Sequence, residues 1–291
     1  MVTTDFTLEG RHFRRDWHSP ESVGHRCLAR GLSDLAAMGA TPLAAFLSLA
    51  VPLNLRDNWV SRFFDGLHAL GDRYAVPLAG GDTAQSPSPF LLADIVLVGA
   101  APAGRALRRS GARVGDLLYV TGSLGGATAE LGRMQAGRIR KVKSAPPGEH
   151  PQLFPEPRIA VGALLLKKGL ASSCIDISDG LSTDLAHLCS ESGVGAEIEE
   201  AMLPLHPLAA KLGLAEARLA ALHGGEDYEL LFTAPQSASI PRRIGTVAIT
   251  LIGRITRAHA GVTLVRADGG QREALRPGGW EHFKSEAHLR R

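Results

Sequence analysis

Four short aspartate motifs are the residues of this sequence best suited to chemistry. In each of them a carboxylate stands beside glycines or hydroxyl groups, on a segment flanked by apolar residues. Oxygen ligands of this kind suit Mg²⁺, which keeps several of its waters and commonly holds nucleotide phosphates. The sequence therefore predicts an enzyme that acts on a nucleotide complexed with Mg²⁺. The motifs are Thr3-Thr4-Asp5, Ser33-Asp34, Gly80-Gly81-Asp82-Thr83 and Asp176-Ile177-Ser178-Asp179-Gly180.

Two of these motifs allow a second interpretation. The glycines before Asp82 would let the backbone approach a ligand while Asp82 meets a cation at a strand end, but a glycine turn with a solvated aspartate fits equally well. Asp176 and Asp179 precede a predicted helix, whose N-terminal amides favour phosphate. Simple N-capping by Asp179 or Ser182 is the alternative for that segment.

Other polar residues are open to similar pairs of interpretations. Glu9 and His12 could form an acid–base pair or a ligand clamp, whereas a lone histidine beside aromatic residues is more often packed for structure. The acidic segment 224–229 could bind a cationic substrate or end a loop. A basic cluster could attract phosphate or form a solvated loop. The cluster comprises Arg133, Arg138, Arg140, Lys141 and Lys143.

Composition limits the class of protein. The chain has 291 residues, of which 45% are hydrophobic and 21% are charged, and its net charge is +3. This length favours two domains, and the mild charge does not predict nucleic-acid binding. The three cysteines share no CxxC spacing, which predicts neither a disulfide framework nor a zinc site. We find no signal peptide and no membrane span, so we expect a cytoplasmic protein.

The predicted elements alternate between helix and strand and imply an α/β fold in two layered domains. We place the domain boundary near residue 104, which gives domains 1–104 and 105–291. The predicted helices cover 20–38, 57–74, 127–135, 158–169 and 182–192. The predicted strands cover 46–51, 89–100, 117–122, 196–199, 228–233 and 246–255, and the Thr3-Thr4-Asp5 motif is expected to precede a strand.

The motifs, taken in order, resemble those of the thiamine-monophosphate kinase family over essentially the whole chain. Six long motifs in one order are much more specific than any single motif. They are Thr3-Thr4-Asp5 with Leu8-Glu9-Gly10-x-His12-Phe13, residues 32–40, Gly80-Gly81-Asp82-Thr83, Arg109-Ser110-Gly111-Ala112, residues 176–181 and residues 225–230. Gly279-Trp280-Glu281-His282-Phe283 extends the resemblance to the C-terminal region.

The resemblance implies ATP-dependent phosphorylation of thiamine monophosphate to thiamine diphosphate, on a two-domain fold shared with aminoimidazole ribonucleotide synthetase. It also implies a homodimer with paired N-terminal domains and several Mg²⁺ ions. By position, the catalytic residues are Asp34, Asp82 and Arg109, and the ATP contacts are Gly81, Asp82, Arg109 and Ser178. The substrate contacts are His12, Glu226 and Trp280. The metal ligands are Thr3, Thr4, Asp5, Asp34, Asp82, Asp176 and Asp179.

Phosphoryl transfer fits this set because it depends on charge neutralisation and alignment more than on covalent chemistry by the protein. The nucleophile is the phosphate oxygen of the substrate, so no strong general base is required. Glu226 and Trp280 suit a cationic thiazolium ring through charge and cation–π attraction. We expect Asp82→Ala to abolish ATP turnover that depends on Mg²⁺.

The sequence departs from the family pattern at two places. Family members carry a few dozen residues before the Thr-Thr-Asp motif, including a Gly-Asp-Asp motif, so we expect a start assigned too late or a shortened chain with an exposed sheet edge. Gly126 stands where the family has an aspartate, although its loop could still present amides to phosphate. The alternatives are an ATP-dependent ligase or cyclase on the same fold, and a degenerate nucleotide- or thiamine-phosphate-binding protein.

Overall fold

The computed structural model describes residues 1–55, 57–139 and 141–281. Arg140 of the predicted basic cluster, and His282 and Phe283 of the C-terminal motif, lie outside these residues. The described part of the chain contains no helix that is both long and apolar enough to cross a bilayer.

The N-terminal half is a four-stranded sheet with two helices on one face. Its elements are β1 (Val2–Leu8), α1 (Pro20–Ala37), β2 (Thr41–Val51), α2 (Asp57–Tyr74), β3 (Leu78–Gln85) and β4 (Leu92–Ala100). The strand order is β1-β4-β2-β3, so β1 and β3 form the two edges. β3 runs parallel to β2, and the other pairs are antiparallel.

Alternation along the strands separates a core face from an open face. Leu47, Ile95 and Leu97 are buried on the core face, under α1 and α2. Phe6 and Phe46 lie on the opposite face and are exposed. The described elements therefore leave uncovered a sheet face that carries large exposed apolar side chains.

Helix α1 is buried on nearly all sides because it lies between the two halves of the chain. Ser19 caps its N-terminus by accepting a hydrogen bond from the backbone N–H of Ser22 at 3.1 Å, and Pro20 occupies the first turn, where a missing N–H costs nothing. Its other end brings Ser33 and Asp34 towards the C-terminal half. The helix thus positions functional side chains from the N-terminal domain.

The C-terminal half is a mixed sheet in the order β12-β11-β7-β10-β5-β8-β6, with β9 paired to β10. Its strands are β5 (Leu117–Thr121), β6 (Ser173–Asp176), β7 (Val194–Glu199), β8 (Leu230–Ala234), β9 (Arg243–Ile244), β10 (Val247–Arg257), β11 (Val262–Val265) and β12 (Arg272–Ala274). Its helices are α3 (Gly126–Gln135), α4 (Ile159–Lys168), α5 (Leu181–Ser192), α6 (Pro207–Ala210) and α7 (Leu214–His223).

The five predicted helices are confirmed to within two residues at their ends. Two strand predictions are wrong in a way that affects the site. The Thr3-Thr4-Asp5 motif lies inside β1 and does not precede a strand, and Gly80-Gly81-Asp82 lies inside the edge strand β3 and not at its end. The strands β6, β9, β11 and β12 and the helices α6 and α7 were not predicted.

Candidate active site

A cleft of about 780 Å³ opens between α1 and the C-terminal half. Eight of the predicted site residues line it. They are Asp5, His12, Asp34, Asp176, Ser178, Asp179, Glu226 and Trp280. Thr3, Thr4, Gly81, Asp82 and Arg109 are not among the lining residues.

Carboxylates from three elements meet at one end of the cleft. Asp5 comes from β1, Asp34 from the last turn of α1 and Asp176 from the end of β6. Thr3 Oγ1 donates a hydrogen bond to Asp34, and Ser33 Oγ donates to Asp176 Oδ2 at 2.7 Å. The two halves of the chain are therefore joined where their acidic groups converge.

Burial and mutual repulsion disfavour the simultaneous ionisation of Asp34 and Asp176. Burial raises the pKa of Asp34, and the charge of Asp5 adds to this effect. Burial, followed by the charge of Asp34, raises the pKa of Asp176 to about 7. The guanidinium of Arg109 acts in the opposite direction on the pKa of both groups. A divalent cation between these carboxylates would offset their mutual repulsion and stabilise their ionised forms.

The chemistry of this donor set suits Mg²⁺ only together with ligands from a substrate. Within the described ranges, no three histidine, cysteine, aspartate or glutamate side chains form a group able to hold a metal ion. Mg²⁺ is usually bound through one or two carboxylates plus substrate phosphates and water. Asp34 and Asp176 meet that smaller requirement.

Strand geometry separates the remaining predicted metal ligands from the cleft. Because successive residues of a strand point to opposite faces, Thr3 and Thr4 cannot both face α1. Thr4 Oγ1 donates instead to Asp94 Oδ1 at 2.7 Å. Asp82 pairs in register with Ser48 of β2 and is exposed, on the same face as Thr4. Within this single chain, Thr4 and Asp82 are thus separate from the other ligands.

Asp184 occupies the three backbone amides that immediately precede α5. The backbone N–H groups of Ser178, Asp179 and Gly180 each donate to Asp184 Oδ2 at 3.1 Å. Asp184 lies in the first turn of α5, and burial raises its pKa to about 8. Neither Asp179 nor Ser182 serves as the N-cap, because Gly180 occupies that position.

A second buried carboxylate occupies the amides at the start of α3. Asp227 accepts hydrogen bonds from the backbone N–H of Gly125 at 2.6 Å and of Ala127 at 3.2 Å. Burial raises the pKa of Asp227 to about 7. An added Cβ at Gly126 would lie 2.6 Å from the ring of His206. The loop expected to present amides to phosphate is therefore filled from inside the protein.

A second group of cleft residues comprises the predicted substrate contacts, and we call this group the substrate end of the cleft. Glu226 Oε1 accepts from Arg26 Nη2 at 2.6 Å, and Glu226 Oε2 accepts from Gln152 Nε2 at 2.7 Å. Burial acts to raise the pKa of Glu226, but the charges of Arg26 and Arg30 overcome it and hold that pKa below its usual range. Glu226 is therefore an ionised carboxylate at this end of the cleft.

His12 and Trp280 also line the cleft. His12 Nδ1 accepts from the backbone N–H of Leu8 at 3.1 Å, which fixes the ring beside the cleft. The backbone N–H of Trp280 donates to the carbonyl of Asp179 at 3.0 Å, and 46% of Trp280 remains exposed. An indole held in this way presents a large apolar surface to a ligand.

Sequence reasoning missed several lining residues. Arg30 lies four residues before Asp34, and this spacing places both on one face of α1, which was a readable signal. The apolar lining had no such signal because α7 was not predicted. The missed residues include Arg11, Arg30, Leu131, Gln152, Leu212, Glu216, Leu219 and His223.

Comparisons with known proteins give a consistent result. Residues 1–102 match the N-terminal domain model of AIR synthase related proteins, and residues 113–263 match the C-terminal domain model. Thiamine-monophosphate kinase of Escherichia coli strain K12 is 38% identical over 97% of this chain and 86% of its own length. That of Bacillus subtilis strain 168 is 32% identical over 98% of this chain and 88% of its own length.

Solved structures show the same likeness. The structure of AaThiL complexed with AMPPCP and TMP has a TM-score of 0.82 and 34% identity, and covers 97% of this chain and 86% of that chain. The hydrogenase maturation protein HypE in complex with ATP has a TM-score of 0.76 at 16% identity, covers 96% of this chain and 84% of that chain, and shares the fold alone.

Proposed function

The chain belongs to the thiamine-monophosphate kinase family, with the two-domain fold of AIR synthase related proteins, and we propose that it transfers the γ-phosphoryl group of ATP to thiamine monophosphate. The observation that carries this proposal is the cleft, which holds buried carboxylates suited to a metal–phosphate complex at one end and an ionised Glu226 beside Trp280 at the other. A substrate with a phosphate on one side and a cationic ring on the other fits this order.

The reaction joins two phosphates. An oxygen of the thiamine monophosphate phosphate attacks the γ-phosphorus of ATP, and a new P–O–P bond forms as the bond from the γ-phosphorus to the β,γ-bridging oxygen breaks. ADP leaves with that electron pair. The attacking phosphate is already largely ionised near neutral pH, so the protein needs no strong base.

Asp34 and Asp176 are the residues we assign to Mg²⁺, with Asp5 close by on β1. When bound, Mg²⁺ would neutralise charge on the phosphates of ATP as the transferred group moves. The protein keeps the two carboxylates together through hydrogen bonds from Thr3 and Ser33. These two hydrogen bonds position the carboxylates of Asp34 and Asp176 before the substrates bind.

Glu226, His12 and Trp280 are assigned to thiamine monophosphate. Glu226 is ionised, and two arginines fix the position of its carboxylate before a ligand binds. Trp280 can cover the ring by cation–π attraction. ATP contacts are assigned to Ser178 and Arg109, whose charge already acts on Asp34 and Asp176.

A homodimer is part of the proposal. Val2, Phe6 and Phe46 are 69%, 58% and 39% exposed on the open face of the N-terminal sheet, and large apolar side chains exposed on one sheet face suit an interface. The free edges β1 and β3 leave backbone groups available for pairing. A second copy of the chain could cover the open face and pair with the edges β1 and β3.

The domain limits 1–104 and 105–291 and a cytoplasmic location also remain proposals. Cys27, Cys174 and Cys189 are free and buried. Burial raises the pKa of the Cys189 thiol to about 11, which keeps it protonated and unreactive. Free thiols suit a reducing compartment.

The test is formation of thiamine diphosphate from ATP and thiamine monophosphate in the presence of Mg²⁺. We expect product from the unaltered chain and at least about a 100-fold lower rate from Asp176→Asn, because one carboxylate of the metal pair is lost. Asp72→Asn, on the exposed side of α2, is the matched control and keeps the full rate. Equal rates for both variants would refute the assignment of the metal pair.

Binding without turnover is the second candidate function. It is favoured by Gly126 and by the lack of a three-ligand metal group among the described residues. Calorimetry that detects ATP and thiamine monophosphate binding, with no diphosphate formed over hours, would support it. Product formation that stops in Asp176→Asn would exclude it.

A further inference from the structure

Arg30 is the residue that links the two ends of the cleft. Its side chain comes from the middle of α1, and its Nη2 donates to Asp5 Oδ1 at 2.8 Å. Its Nη1 lies 3.5 Å from Glu226 Oε1. Arg30 therefore lies between Asp5, next to the metal pair, and Glu226, which is assigned to the cationic ring.

The hydrogen bonds of Arg30 leave much of its guanidinium unused. A guanidinium has five N–H donors. Two contacts are recorded for Arg30, and its buried Nε has no acceptor among the residues that the structure describes. Its neighbour Arg26 differs, because it donates to the carbonyl and amide oxygens of Gln152, the carbonyl of His12, and Glu226.

In the proposed function, the acceptor phosphate lies between the thiazolium ring and the metal-bound ATP. Thiamine monophosphate carries its phosphate on a short arm from the thiazolium ring, so a ring beside Glu226 and Trp280 directs the phosphate towards Asp34 and Asp176. A dianion approaching three carboxylates is repelled unless a cation accompanies it. Arg30 supplies a positive charge at this position, in contact with Asp5 and Glu226.

On the basis of the proposed function, we propose that Arg30 binds the acceptor phosphate of thiamine monophosphate and holds it against the metal-bound ATP. The planar guanidinium matches phosphate geometry and can donate two parallel hydrogen bonds. Asp5 and Glu226 orient the guanidinium in advance, so little side-chain freedom is lost on binding. Arg30 is then a substrate-binding residue specific for the phosphate and not for the ring.

A structural role for Arg30 makes a different prediction. If the side chain only neutralised Asp5 and Glu226, its loss would disturb the whole cleft and weaken thiamine and thiamine monophosphate alike. A phosphate-binding role weakens only the phosphorylated ligand. The ratio of the two affinities therefore separates these roles, and it does not depend on the fraction of protein that is folded.

The experiment measures binding of thiamine and of thiamine monophosphate by calorimetry, without ATP, to the full chain and its variants. For Arg30→Gln we expect the affinity for thiamine monophosphate to fall about 30-fold, the usual effect of one charged hydrogen-bond pair, while the affinity for thiamine changes less than about twofold. Arg30→Lys keeps the charge and should fall between them. The control is Arg62→Gln on α2, which removes the bidentate ion pair with Glu21 of α1. It should leave both affinities unchanged.

Kinetics provide a second readout. Arg30→Gln should raise the KM for thiamine monophosphate and leave the KM for ATP unchanged. Equal losses for both thiamine ligands, or an unchanged affinity ratio, would overturn the assignment of Arg30. If the unaltered chain forms thiamine diphosphate while the ratio stays constant, only the role of Arg30 fails. If the unaltered chain forms no diphosphate, the proposed function fails separately.

Discussion

Asp184 and Asp227 bind backbone amides of the two glycine-containing loops beside the cleft. Each carboxylate is buried and accepts backbone N–H groups that a sequence reading would leave for phosphate. Their raised pKa values show that burial is only partly compensated by these bonds. The two loops are thus held from inside the protein, and the amides that Asp184 and Asp227 occupy are not open to a phosphate.

Asp184→Ala tests this internal support. Three amides, those of Ser178, Asp179 and Gly180, lose their acceptor, so we expect the free energy of unfolding to fall by about 2–3 kcal/mol. Formation of thiamine diphosphate should also fall, because the backbone of Ser178 and Asp179 loses the acceptor that holds it. Urea unfolding measures the first effect. Asp72→Ala, at an exposed site on α2, is the control, and a loss no larger than its own would contradict the role of Asp184.

His25 makes stability depend on pH. Burial lowers its pKa to about 4, while its Nε2 donates to the carbonyl of Pro155 at 2.8 Å. The unfolded chain takes up a proton near the ordinary value of 6.5, so this stability is complete above that pH and is lost as the pH falls towards 4. At pH 5 the loss is about 2 kcal/mol.

His25→Gln removes the titration and keeps a donor for Pro155. Urea unfolding at pH 7.5 and pH 5 should therefore show a smaller difference for this variant than for the unaltered chain. His18, whose pKa burial lowers to about 3, keeps its own share of the difference. An unchanged difference in His25→Gln would show that His25 does not carry the effect.

At the scale of elements, the packing of α1 against α2 depends on two glycines. A Cβ added at Gly24 would lie 1.8 Å from the carbonyl oxygen of Phe63, and one at Gly66 would lie 1.9 Å from that of Glu21. Both clashes are with backbone atoms, which cannot move aside as the end of a flexible side chain can. The two helices would therefore have to move apart. Separation would also move Arg26 and Arg30 away from Glu226.

We expect Gly66→Ala to lower the free energy of unfolding by about 1–3 kcal/mol, the usual cost of overpacking. Gly132→Ala, in α3 where an added Cβ meets nothing within 4 Å, should instead stabilise the protein by up to about 1 kcal/mol through helix propensity. Thermal or urea unfolding of the two variants compares the same chemical change in two settings. Destabilisation of both to the same extent would contradict the packing argument.

These elements also show how far sequence reasoning reaches. The pattern of apolar residues predicted α1, and the family resemblance placed eight site residues that do line the cleft. The edge strand β3 could not be predicted, because its glycines read as a turn and only pairing with β2 makes it a strand. The roles of Asp184 and Arg30 depend on distances that local patterns do not contain.

At the scale of the whole molecule, the open sheet face should control association. Phe6→Asp places a charge in this apolar surface, so we expect a proposed dimer to dissociate into monomers, as measured by sedimentation velocity. Leu214→Asp, at an exposed leucine of α7, is the control and should keep the oligomeric state. A dimer that survives Phe6→Asp unchanged would show that this face is not the interface.

Association would also explain why Asp82 lies apart from the cleft. Thr4 and Asp82 share the open face but lie on the two edge strands, with β4 and β2 between them. That separation is about 14 Å at the usual strand spacing, too far for a shared ion within one copy. If the free β1 edge of one copy pairs with the free β3 edge of the other, Asp82 of one copy comes beside the Thr3-Thr4-Asp5 strand of the other.

Mixed dimers of two inactive variants test this arrangement. We expect Asp82→Ala and Asp176→Asn to be inactive alone, and their equal mixture, after subunit exchange, to regain about a quarter of full thiamine diphosphate formation, because half of the dimers are mixed and each holds one intact site. If Asp82 serves the cleft of its own chain, every site carries a lesion and no activity returns. If Asp82→Ala alone keeps full activity, Asp82 is not part of the site in either arrangement. Recovery therefore requires both that the chain is a dimer and that its active site is completed across the interface.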